Sequence, residues 1–210
     1  NYEDFGDLSD SRVAHAGCSN QTRGLTVGGN PANNSSKTNN CEYMTIATLG
    51  ATGQDFGDIA TATASMGGNI QSPTRSVFFG GYTPSNVNTI EYFITATLGN
   101  AADFGDLTTL AGDVPMGASN AIRGLRAGGN APSSTDTIDY ITIASTGNAK
   151  DFGNLSAVVS SAEGSAASPT RGLFAGIGDP SSNTIDYVQI MTTGDAVDFG
   201  DLYEARTHGN

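Results

Sequence analysis

A chain of 210 residues is long enough for one or two ordinary domains; its 28 glycines, abundant Thr, Ser and Asn, and only 14% charged residues point to a β-rich, turn-rich fold rather than a helical one. Nine Lys and Arg against 21 Asp and Glu give a net charge of −12. That balance offers no basic patch for nucleic-acid phosphates, favours solubility and repels anionic membranes, and no run of about 18 apolar residues is present to form a membrane-spanning helix.

The first landmark along the chain is Asp4-Phe5-Gly6-Asp7. Near copies recur at Asp55-Phe56-Gly57-Asp58, Asp103-Phe104-Gly105-Asp106, Asp151-Phe152-Gly153-Asn154 and Asp198-Phe199-Gly200-Asp201, at spacings of 51, 48, 48 and 47 residues. A fixed period of this length marks a repeat architecture. It also excludes the magnesium site of a kinase, which has one Asp-Phe-Gly together with a glycine-rich loop and a catalytic loop. After the first copy comes a polar stretch with Arg12 and His15, ending in Ala16-Gly17-Cys18; then the short apolar run Arg23 to Gly29; then a loop of Asn, Pro and Ser over 30–40; then the strand Cys41 to Ile46. The same order returns as Arg75 to Gly81 with Ile90-Glu91-Tyr92, Arg123 to Gly129 with Ile138-Asp139-Tyr140, and Arg171 to Gly176 with Ile185-Asp186-Tyr187. Each period thus predicts four short strands bounded by turn residues.

Around Tyr140, Ile138, Tyr140 and Thr142 point one way and Asp139, Ile141 and Ile143 the other, so both faces are partly apolar and the sheet is expected to be covered on both sides. The double glycine suits a strand where backbones crowd, as near a central axis. Four-stranded sheets stacked face to face at a period of 48 describe an all-β propeller of four-stranded blades. The units are read as a partial blade over 1–18 and repeats over about 19–67, 68–114, 115–162 and 163–210, a single array. The leading half-blade would have an open sheet edge, so the array is expected to belong to a longer propeller or to meet other copies at both ends. The chain has no initiator Met or signal peptide and starts inside a repeat, as a processed or excised chain would.

The order Leu-x-x-Gly-Gly, Ile-Asp-Tyr, an aromatic with Leu three residues on, and Arg with His nearby resembles the Kelch repeat over nearly the whole chain, with Arg12 and His15, and again Arg206 and His208, matching its Arg-His element. Kelch repeats usually carry Trp where this chain has Phe. The wording Asp-Phe-Gly-Asp-Leu with Thr-Arg-Gly is still more similar to Kelch-like repeats in virion proteins of marine bacteriophages, tail-fibre proteins among them. The resemblance implies a propeller with a structural or adhesive role in a virion or extracellular fibre, with no cofactor. An intracellular Kelch-type scaffold for a protein partner is the alternative. Propellers carry many functions, so the resemblance fixes no ligand.

The recurring residues read as architecture. Phe5, Phe56, Phe104, Phe152 and Phe199 are expected core anchors, each contributing roughly 1.5–3 kcal/mol on burial. The first Asp of each copy is expected to bind backbone amides in an Asx-type turn, because Asp at i and i+3 is too sparse a set for calcium. Arg23, Arg75, Arg123 and Arg171 are expected to pair with Glu42, Glu91, Asp139 and Asp186 or with the Asp-Phe-Gly carboxylates, an anionic ligand being their alternative role. Arg126 breaks the pattern inside the glycine strand, where other repeats have Thr26, Phe78 and Phe174. Cys18 and Cys41 fall at positions that are apolar in the other repeats, so buried free thiols are expected rather than a disulfide. With two histidines no zinc or copper site and no Ser-His-Asp arrangement is expected, and the protein reads as a non-enzyme. The Asn-x-Ser/Thr triplets at Asn20, Asn34 and Asn154 carry little weight in a chain of this composition. Function is placed in the variable loops after the glycine strands, 30–40, 82–89, 130–137 and 178–184. The candidates there are Asn30, Asn33, Asn34, Lys37, Tyr82, Asn130 and Asp179, facing a cell-surface receptor or glycan. The expected partners are other copies or other virion proteins, without nucleic acid or membrane insertion.

Overall fold

The computed structural model describes residues 3–206 apart from 32–35, 114, 131, 161–163, 179 and 180. The described residues form strands and no helix, so no helix is long and apolar enough to cross a membrane. The chain runs β1 (Arg12–Val13), β2 (Ala16–Ser19), β3 (Arg23–Val27), β4 (Asn30–Pro31), β5 (Asn40–Thr45) and β6 (Gln54–Asp58). It continues as β7 (Gly67–Gln71), β8 (Arg75–Phe79), β9 (Thr89–Ile94), β10 (Ala102–Asp106), β11 (Met116–Ser119), β12 (Arg123–Ala127), β13 (Thr135–Thr142) and β14 (Lys150–Val159). The last four strands are β15 (Gly164–Ala167), β16 (Arg171–Ala175), β17 (Ser182–Gln189) and β18 (Val197–Arg206). They make four antiparallel four-stranded sheets, β2-β3-β5-β6, β7-β8-β9-β10, β11-β12-β13-β14 and β15-β16-β17-β18, with β1 and β4 paired as a short ribbon. The first strands of the sheets touch in succession, β2 on β7, β7 on β11 and β11 on β15, so they lie innermost and each sheet is a blade of a four-bladed β-propeller.

The phase of the units differs from the sequence expectation. Ala16–Ser19 pairs with β3, so the leading arginine stretch supplies the innermost strand of blade 1 and is not an unpaired half-blade. The double glycine also lies elsewhere than the axis. Gly28-Gly29 and Gly80-Gly81 adopt φ of 62° to 99° at the end of the second strand, the first of each pair against the loop that leads to the next blade and the second against the loop that enters its own blade. A Cβ on Gly81 would come within 2.8 Å of the Ala64 carbonyl oxygen, so glycine is required there by the approach of that backbone.

The core lies between blades rather than within them. Three clusters fill the spaces between blades 1 and 2, 2 and 3, and 3 and 4 among the described residues. The alternation around Tyr140 behaves as expected. Ile138 packs toward blade 4 while Ile141 and Ile143 pack toward blade 2, and all three are buried.

The Asp-Phe-Gly motif makes the joint between blades. In blade 2, Asp103 pairs with Glu91 and Gly105 with Ile90, leaving Phe104 as the extra residue of a β-bulge; blades 1, 3 and 4 have a register shift at the same place. The bulge frees the Phe carbonyl from the ladder and turns the ring onto the blade face. Phe56 O accepts from Gly99 N–H and Asp58 O from Ala101 N–H, both at 2.8 Å; Phe104 O accepts from Gly147 N–H at 2.7 Å and Asp106 O from Ala149 N–H at 2.8 Å. Phe152 and Asn154 hold Gly194 and Ala196 in the same way. The glycine of the motif sits at φ 139° to 147° in blades 1 to 3, a conformation that side chains disfavour, and a Cβ on Gly105 would meet the Gly147 carbonyl at 2.6 Å. Phe56, Phe104 and Phe152 are buried as expected; the terminal copies Phe5 and Phe199 are exposed, since among the described residues no complete blade underlies the first and none follows the second.

Candidate binding cup at the inner turns

The hairpins joining the first and second strands of every blade are built alike. Asn20 Oδ1 accepts from the N–H groups of Thr22 and Arg23 at 2.9 and 2.8 Å, and Asn120 Oδ1 from those of Ile122 and Arg123 at the same distances. Ser72 Oγ accepts from Thr74 and Arg75 N–H at 3.3 and 3.0 Å, and Ser168 Oγ from Thr170 and Arg171 N–H at 3.3 and 3.0 Å. These Asx and Ser turns pin the hairpin backbone without help from neighbours. Because the first strands converge, the four turns meet around the axis.

They enclose an open cup of about 730 Å³, lined by Ser19–Thr22, Gln71–Pro73, Ser119–Ala121 and Ala167–Pro169. Every blade contributes and no lining residue is charged. The rim is cross-linked. Gln71 Oε1 accepts from Ser19 N–H at 2.9 Å, Gln71 N–H donates to Ser119 Oγ at 3.0 Å, and Asn120 Nδ2 donates to the Pro169 carbonyl at 3.0 Å. Hydroxyls, carboxamides and two prolines on a rigid frame can recognise a neutral polar ligand by hydrogen bonds and apolar contact. None of the lining residues is titratable, so the cup offers no acid or base for proton transfer.

The loops expected to carry function lie at the other end of the blades, as alternate connections of an antiparallel sheet must. Lys37 and Tyr82 come together there, with Lys37 Nζ 4.5 Å from the ring centroid. Asn130 is occupied structurally: it exchanges backbone hydrogen bonds with Gly112, and its Nδ2 donates to Asp113 at 3.1 Å. Asn30 lies on β4 against Val13 and belongs to that ribbon. Asn33, Asn34 and Asp179 lie outside the described residues. The cup itself was not among the expected sites. Its signal in the sequence is the recurring Asn or Ser three residues before each arginine, as in Ser72-Pro73-Thr74-Arg75.

The four recurrent arginines do not pair with carboxylates, which corrects the expectation. Arg23, Arg75, Arg123 and Arg171 lie over the rings of Tyr43, Tyr92, Tyr140 and Tyr187, 4.3 to 5.2 Å from their centroids. The first three then donate across to the next blade, Arg23 to the Thr95 carbonyl at 3.0 Å, Arg75 to Ile143 at 2.8 Å and Arg123 to Ile190 at 3.0 Å. The register explains it. Arg23 opposes Thr45, which leaves Tyr43 diagonal to it on the same face, while Glu42 points the other way.

The acids instead cap the backbone just after the Asp-Phe-Gly motif that precedes their blade. Glu91 accepts from Ala60 N–H, Asp186 from Ser156 N–H and Oγ, Asp139 from Thr108, and Glu42 from Ser9. Two have a cation as well: Arg12 on Glu42, and Arg126 on Asp139 at 3.5 Å. Burial pushes Asp139 up and Arg126 down, and the attraction between them only partly offsets it. Arg126 is therefore the odd basic residue expected from its position, fully buried with Nε and Nη2 lacking hydrogen-bond partners.

Asp4 and Asp198 make the expected Asx-type bonds, each accepting the N–H of its motif glycine, at 3.1 and 2.8 Å. Cys18 and Cys41 are buried thiols outside any disulfide, and burial pushes the Cys41 thiol up to about 12. Burial and then Arg12 lower His15, so it favours the neutral form more than a solvated histidine does. No protein-family model and no curated protein shows a significant match to this chain.

Proposed function

We propose that the chain is a non-enzymatic binding and structural module of a phage virion or extracellular fibre, which holds a neutral polyhydroxylated ligand such as a cell-surface glycan in the cup at its inner turns. The observation that carries this reading is the cup's lining of uncharged hydroxyl and carboxamide side chains drawn from all four blades. Such a surface gives up its hydration more cheaply than a charged one would and can return the hydrogen bonds to sugar hydroxyls, whereas an anionic or cationic ligand would find no counter-charge there. A glycan array probed with the intact chain tests it. Neutral glycans should be retained, and Gln71→Ala together with Asn120→Ala should reduce retention. Equal retention by the double variant, or an array on which nothing is held, sinks the reading.

The alternative, an intracellular Kelch-type scaffold for a protein partner, draws on the opposite end, where exposed Tyr82 carries Lys37 on its ring. Tyr82→Ser separates the two. It should leave glycan retention unchanged but abolish capture of a protein partner in a pull-down.

A further inference from the structure

The two ends of the array are complements of each other. On blade 4, Phe199 is 52% exposed where Phe56, Phe104 and Phe152 are 2–3%. Arg171 and Ala166 are exposed and Leu173 is only partly buried, although the equivalent Leu25, Val77 and Leu125 are buried. A Cβ on Gly200 would meet nothing within 4 Å. On blade 1 the opposite face is open. Ile46 is 43% exposed where Thr95, Ile143 and Ile190 are 0%, and Met44 is partly exposed where Phe93, Ile141 and Val188 are buried. A Cβ on Gly24 would also meet nothing within 4 Å, whereas the equivalent position Gly172 in blade 4 faces Ala118 at 3.3 Å.

Part of the blade 1 face is covered by the chain's own leading segment. Asp4–Leu8 has the same five residues as Asp198–Leu202. It makes the joint that an outer strand makes with the next blade: Phe5 O accepts from Gly50 N–H at 2.8 Å, Asp7 O accepts from Gly53 N–H at 2.7 Å, and Ser9 caps Glu42. The segment thus stands in for the outer strand of a preceding blade, but among the described residues none of that blade's inner strands accompanies it, and Met44, Ile46 and Gly24 stay uncovered.

We propose that blade 4 of one copy docks head-to-tail on blade 1 of a second copy, with Asp198–Leu202 displacing that copy's Asp4–Leu8. Every contact required is one the chain already makes between its own blades. Phe199 O and Asp201 O take Gly50 and Gly53 N–H; Tyr203 N–H, five residues after Asp198 as Ala60 is after Asp55, caps Glu42; Arg171 reaches the Ile46 carbonyl as Arg23 reaches Thr95. The exchange of one pentapeptide for its copy is near neutral, so the newly buried Phe199, Leu173, Met44 and Ile46 drive association.

Sedimentation of the full chain tests it. The wild type should associate, and Ile46→Asp and Phe199→Asp should each sediment as a monomer, because each blocks one face at an exposed position. Mixed together they should form a 1:1 dimer and nothing larger, since each retains the face that the other has lost. Gly24→Gln, a steric block, should substitute for Ile46→Asp if that variant fails to fold. Gly6→Val, whose side chain collides with the Ala51 carbonyl, should loosen the leading segment and strengthen association. A monomeric wild type, self-association surviving in both Asp variants, or a mixture that stays monomeric overturns the head-to-tail contact; Gly6→Val leaving association unchanged or weaker overturns the displacement.

Discussion

Among the described residues, blades 2 and 3 are the two with a blade on each side, and they are nearly superimposable in what they do. Phe104 and Phe152 are equally buried, each with a Tyr edge against it, Tyr92 at 5.8 Å and Tyr140 at 6.1 Å. Arg75 and Arg123 cross to the next blade in the same way. The difference is one cross-strand pair facing the preceding blade: Phe78 opposite Glu91 in blade 2, Arg126 opposite Asp139 in blade 3. Both acids are capped by the segment that enters from the blade before, so the cap is the common device and the cation is an addition. The addition is an expensive one. A buried guanidinium with two nitrogens unpartnered loses more hydration than its long contacts to Thr109 at 3.4 Å and Asp139 at 3.5 Å return, so blade 3 has no claim to be the more stable of the two.

The sharpest way to break that comparison is to remove the shared part. Phe104→Ala and Phe152→Ala should each cost about 3–5 kcal/mol, with matched shifts of the urea midpoint; unequal shifts mean that the two scaffolds are not equivalent after all. Arg126→Ala leaves Asp139 buried without its cation and should cost about 3–5 kcal/mol. Arg126→Phe should cost distinctly less, because it rebuilds the pairing that Phe174 and Asp186 already make in blade 4. If the two substitutions are equally damaging by urea melts, the cation is indispensable and the acid in blade 3 differs in kind from that in blade 2.

A smaller effect is expected from pH. Burial raises Glu91 above its ordinary 4.5, so above that pH the folded state keeps a proton that the unfolded chain has released. Stability should therefore fall as pH rises from about 4.5 through the folded value, and Glu91→Gln should flatten that part of the profile while keeping an acceptor for Ala60 N–H. An unchanged slope in thermal melts across the acid range would remove Glu91 as its source. Least affected should be Tyr82→Ser, which loses a surface ring and its contact with Lys37 and should cost under about 1 kcal/mol; a larger shift would mean that the outer loops help hold blades 1 and 2 together.

Strand identity, the Asp-Phe-Gly period and the covered faces around Tyr140 were all legible in the sequence because they depend on side-chain type and spacing along one strand. What failed depends on register. Arg75 was expected on a carboxylate, but which of Glu91 and Tyr92 lies on its face is decided by pairing Arg75 with Ile94, and no local pattern states that pairing. The unit boundary failed for a related reason. Ala16–Ser19 follows an outer strand in the chain yet pairs with the strand after it, and a four-strand period looks the same from any starting point. The cup was hidden because its residues are ordinary turn formers singly, and only the convergence of Ser19, Gln71, Ser119 and Ala167 on one axis makes a surface of them.

In the joint between blades 2 and 3 the bonds at Phe104 O and Asp106 O are main chain on both sides, Gly147 and Ala149 supplying only their amides, and Asn148 Oδ1 between them accepts from Asp106 N–H at 3.1 Å. Beyond the motif glycine and the Asn or Asp at the Asn148 position, a junction of that kind asks little of the side chains around it. A unit of about 48 residues could be duplicated, lost or exchanged for another during recombination, and its neighbours would find the same two acceptors waiting. Blade number and surface chemistry are in this sense separately heritable. The faces can diverge, as Phe78 and Arg126 have, while the hinge on which the blades are hung stays common to them all.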